Sequence, residues 1–200
     1  QVDGAITSSA GATISITGNG TLLTLISTDA DANKGPILDL YRNSSSPADD
    51  DIVGQIRMQG ENSAGETVNY VTLFSQIQDV TDGTEDGRFF ISAMTGGSDY
   101  SRMDLLSTET VFNQDSIDLD FRVESNNLTH ALFVQGSDGN VGVGDSSPSY
   151  PLEVANANST SIAYQRTGVS AKKWGFTSDN DTTIWSNITD SVSAMTLTNA

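Results

Sequence analysis

Residues Ile117-Asp118-Leu119-Asp120-Phe121-Arg122-Val123-Glu124 alternate without a break between apolar and charged side chains. Successive side chains of an extended strand point to opposite faces. Ile117, Leu119, Phe121 and Val123 therefore form one apolar row, and Asp118, Asp120, Arg122 and Glu124 one solvated row. This is the pattern of a half-buried strand, and shorter versions of it recur roughly every ten residues. Ile52–Met58 alternates in the same way. Further strand candidates are Leu22–Ile26, Ile37–Tyr41, Val71–Ile77, Arg88–Ala93, Arg102–Leu106, Ala131–Gln135, Asn140–Val143, Leu152–Val154, Ile162–Arg166, Trp174–Thr177, Thr183–Ser186 and Ala194–Thr198. No segment repeats its apolar residues at helical spacing.

Composition agrees. Ser, Thr, Asn, Asp and Gly make up half the chain, Asp outnumbers Glu 20 to 6, and only three Lys occur. These are turn formers and weak helix formers, so long helices and coiled coils are excluded. Gly18-Asn19-Gly20, Asp82-Gly83, Asp86-Gly87, Gly96-Gly97 and Asp138-Gly139 punctuate the strands with residues that tolerate positive φ. Phe133–Val141 reads as a hairpin closed by Asp138-Gly139. The expected fold is all-β, with short antiparallel strands in tandem modules of β-sandwich or β-prism type.

A net charge of −17 opposes binding to nucleic acid, which needs clustered Lys and Arg. No apolar run approaches the ~18 residues that span a bilayer, so membrane insertion is not expected. The chain has no cysteine, hence no disulfide staples. It opens without an initiator Met or an apolar leader, as expected of a processed chain or a piece of a longer one.

Four segments follow from these patterns. Residues 1–20, rich in Ser, Thr, Ala and Gly, form an N-terminal arm or docking segment that buries too little to order itself unless it pairs with other chains. Residues 21–112 form a first β-module, 113–149 a connecting hairpin segment, and 150–200 a second β-module. The two modules share a faint likeness: Pro36-Ile37-Leu38-Asp39-Leu40 against Pro151-Leu152-Glu153-Val154, and Ala93-Met94 against Ala194-Met195. That likeness reads either as a repeat or as chance similarity between Ser/Thr-rich strands.

The stretch Asp120-Phe121-Arg122-Val123-Glu124-Ser125, followed by Ala131-Leu132-Phe133-Val134, Gly139-Asn140-Val141-Gly142-Val143-Gly144, Ser147-Pro148 and Pro151-Leu152-Glu153-Val154, resembles a recurrent element of bacteriophage tail-fibre and virion-fibre proteins of marine and cyanobacterial phages. It covers about 35 residues and departs from the family pattern at Asp145, where Thr is usual. The resemblance implies an elongated homotrimer of β-structure on the virion surface. It does not extend to the self-cleaving chaperone domain in which some such fibres end. Within the element, Gly142 and Gly144 are expected where backbones approach closely, and Pro148 and Pro151 where strand pairing stops.

Chemistry is sparse. One histidine, His130, and no cysteine exclude Cys–His and multi-His metal sites, and no Gly-x-Ser-x-Gly elbow occurs. Carboxylate pairs for glycoside hydrolysis are numerous but unremarkable among 26 acids, so no enzyme is expected. Asp29, Asp31 and Asn33 place oxygens at alternate positions of a loop that could hold calcium, although Leu40 stands where a closing Glu would be; a solvated acidic turn is the competing reading. Asp79–Gly87 and Asp49–Asp51 are two further acidic loops. Trp174 and Trp185, with Phe176, could form a stacking platform for a host glycan or could pack a core.

The function expected is that of a structural virion appendage, extracellular on the particle surface, that projects from it and attaches to a host-surface glycan or protein. Its partners would be two further copies and other virion proteins. Ile117, Leu119, Phe121 and Val123 would face the trimer core. Alternatives are a capsid-bound decoration fibre that stabilises the shell and a polysaccharide-depolymerising tailspike.

Overall fold

The computed structural model describes residues 11–155, 160–167, 172–179 and 182–198. Half of the 1–20 arm thus lies outside the described residues. The chain divides into two compact units, Gln1–Ser45 and Ser46–Ala200. Among the described residues all the regular structure belongs to the second, which is all-β: thirteen strands in three sheets, and no helix.

The first sheet is a meander of β1 (Ile52–Glu61), β2 (Thr67–Asp79), β3 (Asp86–Thr95), β4 (Ser98–Leu105) and β5 (Thr110–Phe112), every neighbour antiparallel. Its register sets Ile56, Leu73, Ile91 and Met103 in one cross-strand row. The next residue along gives the opposite face, a row of Arg57, Thr72, Ser92 and Ser101. The second sheet joins β6 (Phe121–Val123), β7 (Leu132–Val134), β8 (Val141–Val143) and β9 (Leu152–Val154). The third is a meander of β10 (Thr160–Arg166), β11 (Lys172–Asp179), β12 (Thr182–Asn187) and β13 (Val192–Thr198), again antiparallel throughout.

Three expectations are corrected. The strands expected at Leu22–Ile26 and Ile37–Tyr41 do not form: residues 11–45 carry no strand, and Leu22, Leu25, Ile37 and Tyr41 stand 47–76% exposed. An alternating segment becomes a strand only when another strand takes its N–H and C=O groups, and none within the described chain does so here. The long strand expected at 117–124 shrinks to Phe121–Val123. Ahead of it the backbone turns at Asn113 and Ser116, both at positive φ, and the Asn113 amide brackets Ile117 with hydrogen bonds to its carbonyl and from its N–H.

The third correction concerns Pro151, which does not stop pairing. Its carbonyl accepts the Val141 N–H, and β9 then runs parallel to β8, the only parallel pair among the described strands. Parallel neighbours usually need a crossover of about a dozen residues. A strand of three residues spans only about 10 Å, so the short loop between β8 and β9 suffices to return to its start.

The glycines of this element meet their expected role. A Cβ on Gly142 would lie 2.5 Å from the Asp145 carbonyl oxygen, and one on Gly144 would lie 2.3 Å from that of Ala155, at φ +75°. Gly144→Ala therefore meets both a left-handed backbone and a backbone clash, and is expected to lower stability by about 2–4 kcal/mol in urea unfolding. An effect near zero would mean that β9 can leave β8 freely.

Candidate functional site

The Asp29–Asn33 loop is closed by its own side chains. The Asp31 carboxylate accepts the Asn33 N–H at 2.9 Å and the Asn33 side-chain amide at 2.6 Å, while Asp29 accepts the Asp31 N–H at 3.3 Å. These bonds from Asn33 hold Asp31 below the usual carboxylate range. Both Asp31 oxygens are thus already occupied, and all three side chains lie at the surface. The Asp79 loop closes in the same manner: Asp79 accepts the Thr81 N–H at 2.8 Å and the Thr84 hydroxyl at 3.2 Å, and its pKa is lowered, with Thr81 the main cause. Asp49 of the third acidic loop accepts the Val80 N–H at 2.9 Å. Among the described residues no three His, Cys, Asp or Glu side chains converge as a metal site would require.

Of the row Ile117, Leu119, Phe121 and Val123, the first three are half-buried and line an open groove of about 550 Å³ with Val111, Phe112 and Val134. The Phe112 and Phe121 rings lie 5.1 Å apart across it. The groove is narrow at Gly136, where a Cβ would come within 2.3 Å of the Leu119 nitrogen, and Asp120 accepts the Gly136 N–H. Val123 lies outside the groove and is 43% exposed. His130 meets Phe133 edge to face with ring centroids 5.0 Å apart, and its Nδ1 shares a 3.0 Å hydrogen bond with the Thr129 hydroxyl.

Trp174 and Trp185 are brought together. β11 pairs Phe176 with Trp185, and the two indoles stack at 6.0 Å with a 24° angle between planes; Phe176 lies 4.5 Å from Trp185. Trp174 and Phe176, two residues apart on one strand, share a face. At the end of this sheet Lys172 bonds Asp190 at 2.5 Å and holds its carboxyl below the usual range, with Asn187 also donating to Asp190. A carboxyl lowered by folding stabilises above its ordinary value, here 3.8, and loses that contribution as pH falls through the lowered value. Acid titration followed by the amide resonances of residues 187–191 is expected to leave the turn intact at pH 5 and release it only below 3.8. Asp190→Asn should remove that acid step.

The least expected feature is a buried charge network in the first sheet. Asp104 is fully buried and receives two bonds from the Arg88 guanidinium, at 2.7 and 2.6 Å, and a third from the Ser101 hydroxyl. Arg88 also donates to Gln76 and lies over the Phe90 ring at 4.3 Å, and Phe90 in turn stacks on Phe74 at 4.5 Å. Its hydrogen bonds to the Asp104 carboxylate raise the Arg88 pKa. Sequence patterning gives no sign of this pair because its members sit on different strands, matched only by register.

The same sheet buries polar side chains at its centre and leaves the margins of its apolar face exposed, with Leu73, Ile91 and Met103 half-buried between them. Thr72, Ser92, Ser101 and Asp104 are buried, whereas Ile56, Met58, Phe89 and Leu105 are 37–51% exposed. Among the described residues only Phe133 and Pro148 are buried apolar side chains. Soluble chains ordinarily do the reverse. No protein-family model matches the chain, and no curated protein matches it.

Proposed function

We propose that this chain is a structural fibre protein of a virion appendage, working as a homotrimer that projects from the particle and attaches to the host surface. The observation that carries the reading is the incomplete core: a β1–β5 sheet with polar side chains fully buried at its centre and Ile56, Met58, Phe89 and Leu105 of its apolar face exposed. Other chains would finish such a sheet, and closing three copies about an axis also buries open strand edges. Residues 21–41, alternating and without a partner strand among the described residues, fit the same scheme. So does the Gly142/Gly144 element, whose close backbone approaches give the fibre-like motif a rigid, loop-bound geometry. The work done is spacing and binding, without bond chemistry.

Repulsion among three chains of −17 each opposes assembly. The interface must accordingly be of the obligate class, on the order of 2,000 Å² or more. Light scattering on the purified chain is expected to give three times 21.1 kDa, with melting that depends on protomer concentration. A monomer that stays folded across dilution overturns the proposal.

A further inference from the structure

The β10–β13 sheet carries an apolar face of its own. Its register puts Tyr164 opposite Trp174, Ile162 opposite Phe176, Phe176 opposite Trp185 and Trp185 opposite Met195, with Leu197 two residues beyond Met195 on the same side. Ile162, Trp174 and Phe176 are 36–41% exposed, and Tyr164, Met195 and Leu197 are 52–60% exposed. With the half-buried Trp185, these seven side chains leave roughly 450–750 Å² bare, at the ~150–250 Å² that a large side chain can cover. That is the upper end of what a monomer exposes and most of the ~800 Å² that one partner contributes to a stable interface. The opposite face is closed at its centre. Gly175 is buried there, and a Cβ on it would meet the Ile188 side chain at 2.8 Å and the Ile162 carbonyl at 2.5 Å.

We infer that this face is a self-association surface, covered by the same face of the other copies, and that Trp174 and Trp185 belong to an interchain core. The inference rests on the homo-oligomeric reading above and assigns one of its surfaces. Three observations choose the occupant. No charge lies among the seven residues, in a chain of net charge −17, so here copies meet without desolvating carboxylates. Lys172 and Asp190, at the sheet's end, are already paired with each other. A glycan would need fixed donors and acceptors around the stacking rings. Ile162, Met195 and Leu197 supply none, and the indoles are already stacked on each other.

The chain's only two tryptophans lie on this face, so their emission reports its cover directly. In the assembled wild-type protein the emission is expected to be blue-shifted and shielded from acrylamide. Tyr164→Lys with Leu197→Lys changes two exposed positions that a single chain tolerates. The pair should raise the midpoint concentration of assembly at least ~100-fold and shift the emission to the red, with β-sheet circular dichroism retained. Three results overturn the assignment while leaving the oligomer intact: an unchanged midpoint, wild-type tryptophans freely quenched in the assembly, or emission altered by added polysaccharide. A monomeric wild type overturns the fibre reading as well. Quenching of the wild type needs no variant, so it decides the matter even if the double variant does not fold.

Discussion

Asp104→Ala is expected to lower stability by about 3–5 kcal/mol, because it leaves the Arg88 guanidinium three-quarters covered and without its counter-charge. The carboxylate is fully buried and accepts three hydrogen bonds, two from Arg88 and one from Ser101, so its loss also strands a buried hydroxyl. Urea unfolding at a fixed protomer concentration measures the effect. Replacing both charges at once, Arg88→Met with Asp104→Leu, should recover most of the loss, since well-packed apolar pairs commonly equal or exceed buried ion pairs in stability. The comparison separates the cost of an orphaned charge from the net worth of the pair. If Asp104→Ala costs less than ~1 kcal/mol, water reaches Arg88 and the β1–β5 sheet is not closed on that side.

That network also marks the limit of what the sequence discloses. Period-2 alternation locates β2, β3 and the four strands of the last sheet well, because long runs supply several alternations each. It misses Thr110–Phe112, whose three residues offer one alternation and whose strand state comes from pairing with Met103–Leu105. It overextends Ile117–Glu124, where the pattern is present but the Asn113–Ser116 turns and the tight Gly136–Leu119 approach hold the first half off any ladder. It also marks Leu22–Ile26 and Ile37–Tyr41 as strands, since alternation reports a tendency to pair and not the presence of a partner. Most of all, alternation separates two faces without saying which one is covered. Arg88 and Asp104 look like ordinary surface charges until the β3–β4 register sets Asp104 beside Phe90 and within reach of Arg88. The indole pair is more legible, because the sequence holds only two tryptophans; their meeting across β11 and β12 follows from register alone.

Phe133→Ala is expected to be the costliest apolar truncation among the described residues, at about 3–5 kcal/mol. By pattern, Phe121 would be the obvious choice, as the largest member of the best alternating row. Burial decides otherwise: Phe133 is 4% exposed, whereas Phe121 is only half-buried beside an open groove. Phe133 sits on the central strand pair of the second sheet, opposite Arg122 on one side and Gly142 on the other, with the His130 ring edge-on at 5.0 Å. Its neighbour Gly142 has no side chain to fill the space, and the backbone there is pinned against Asp145, so the cavity cannot close by collapse. Three-residue strands make few hydrogen bonds, which leaves this ring as the main apolar tie between β6, β7 and β8. Phe121→Ala, measured beside it in urea, should cost clearly less. An equal or larger loss at Phe121 would mean that its groove is filled in the assembled protein, and would move that row into an interchain core.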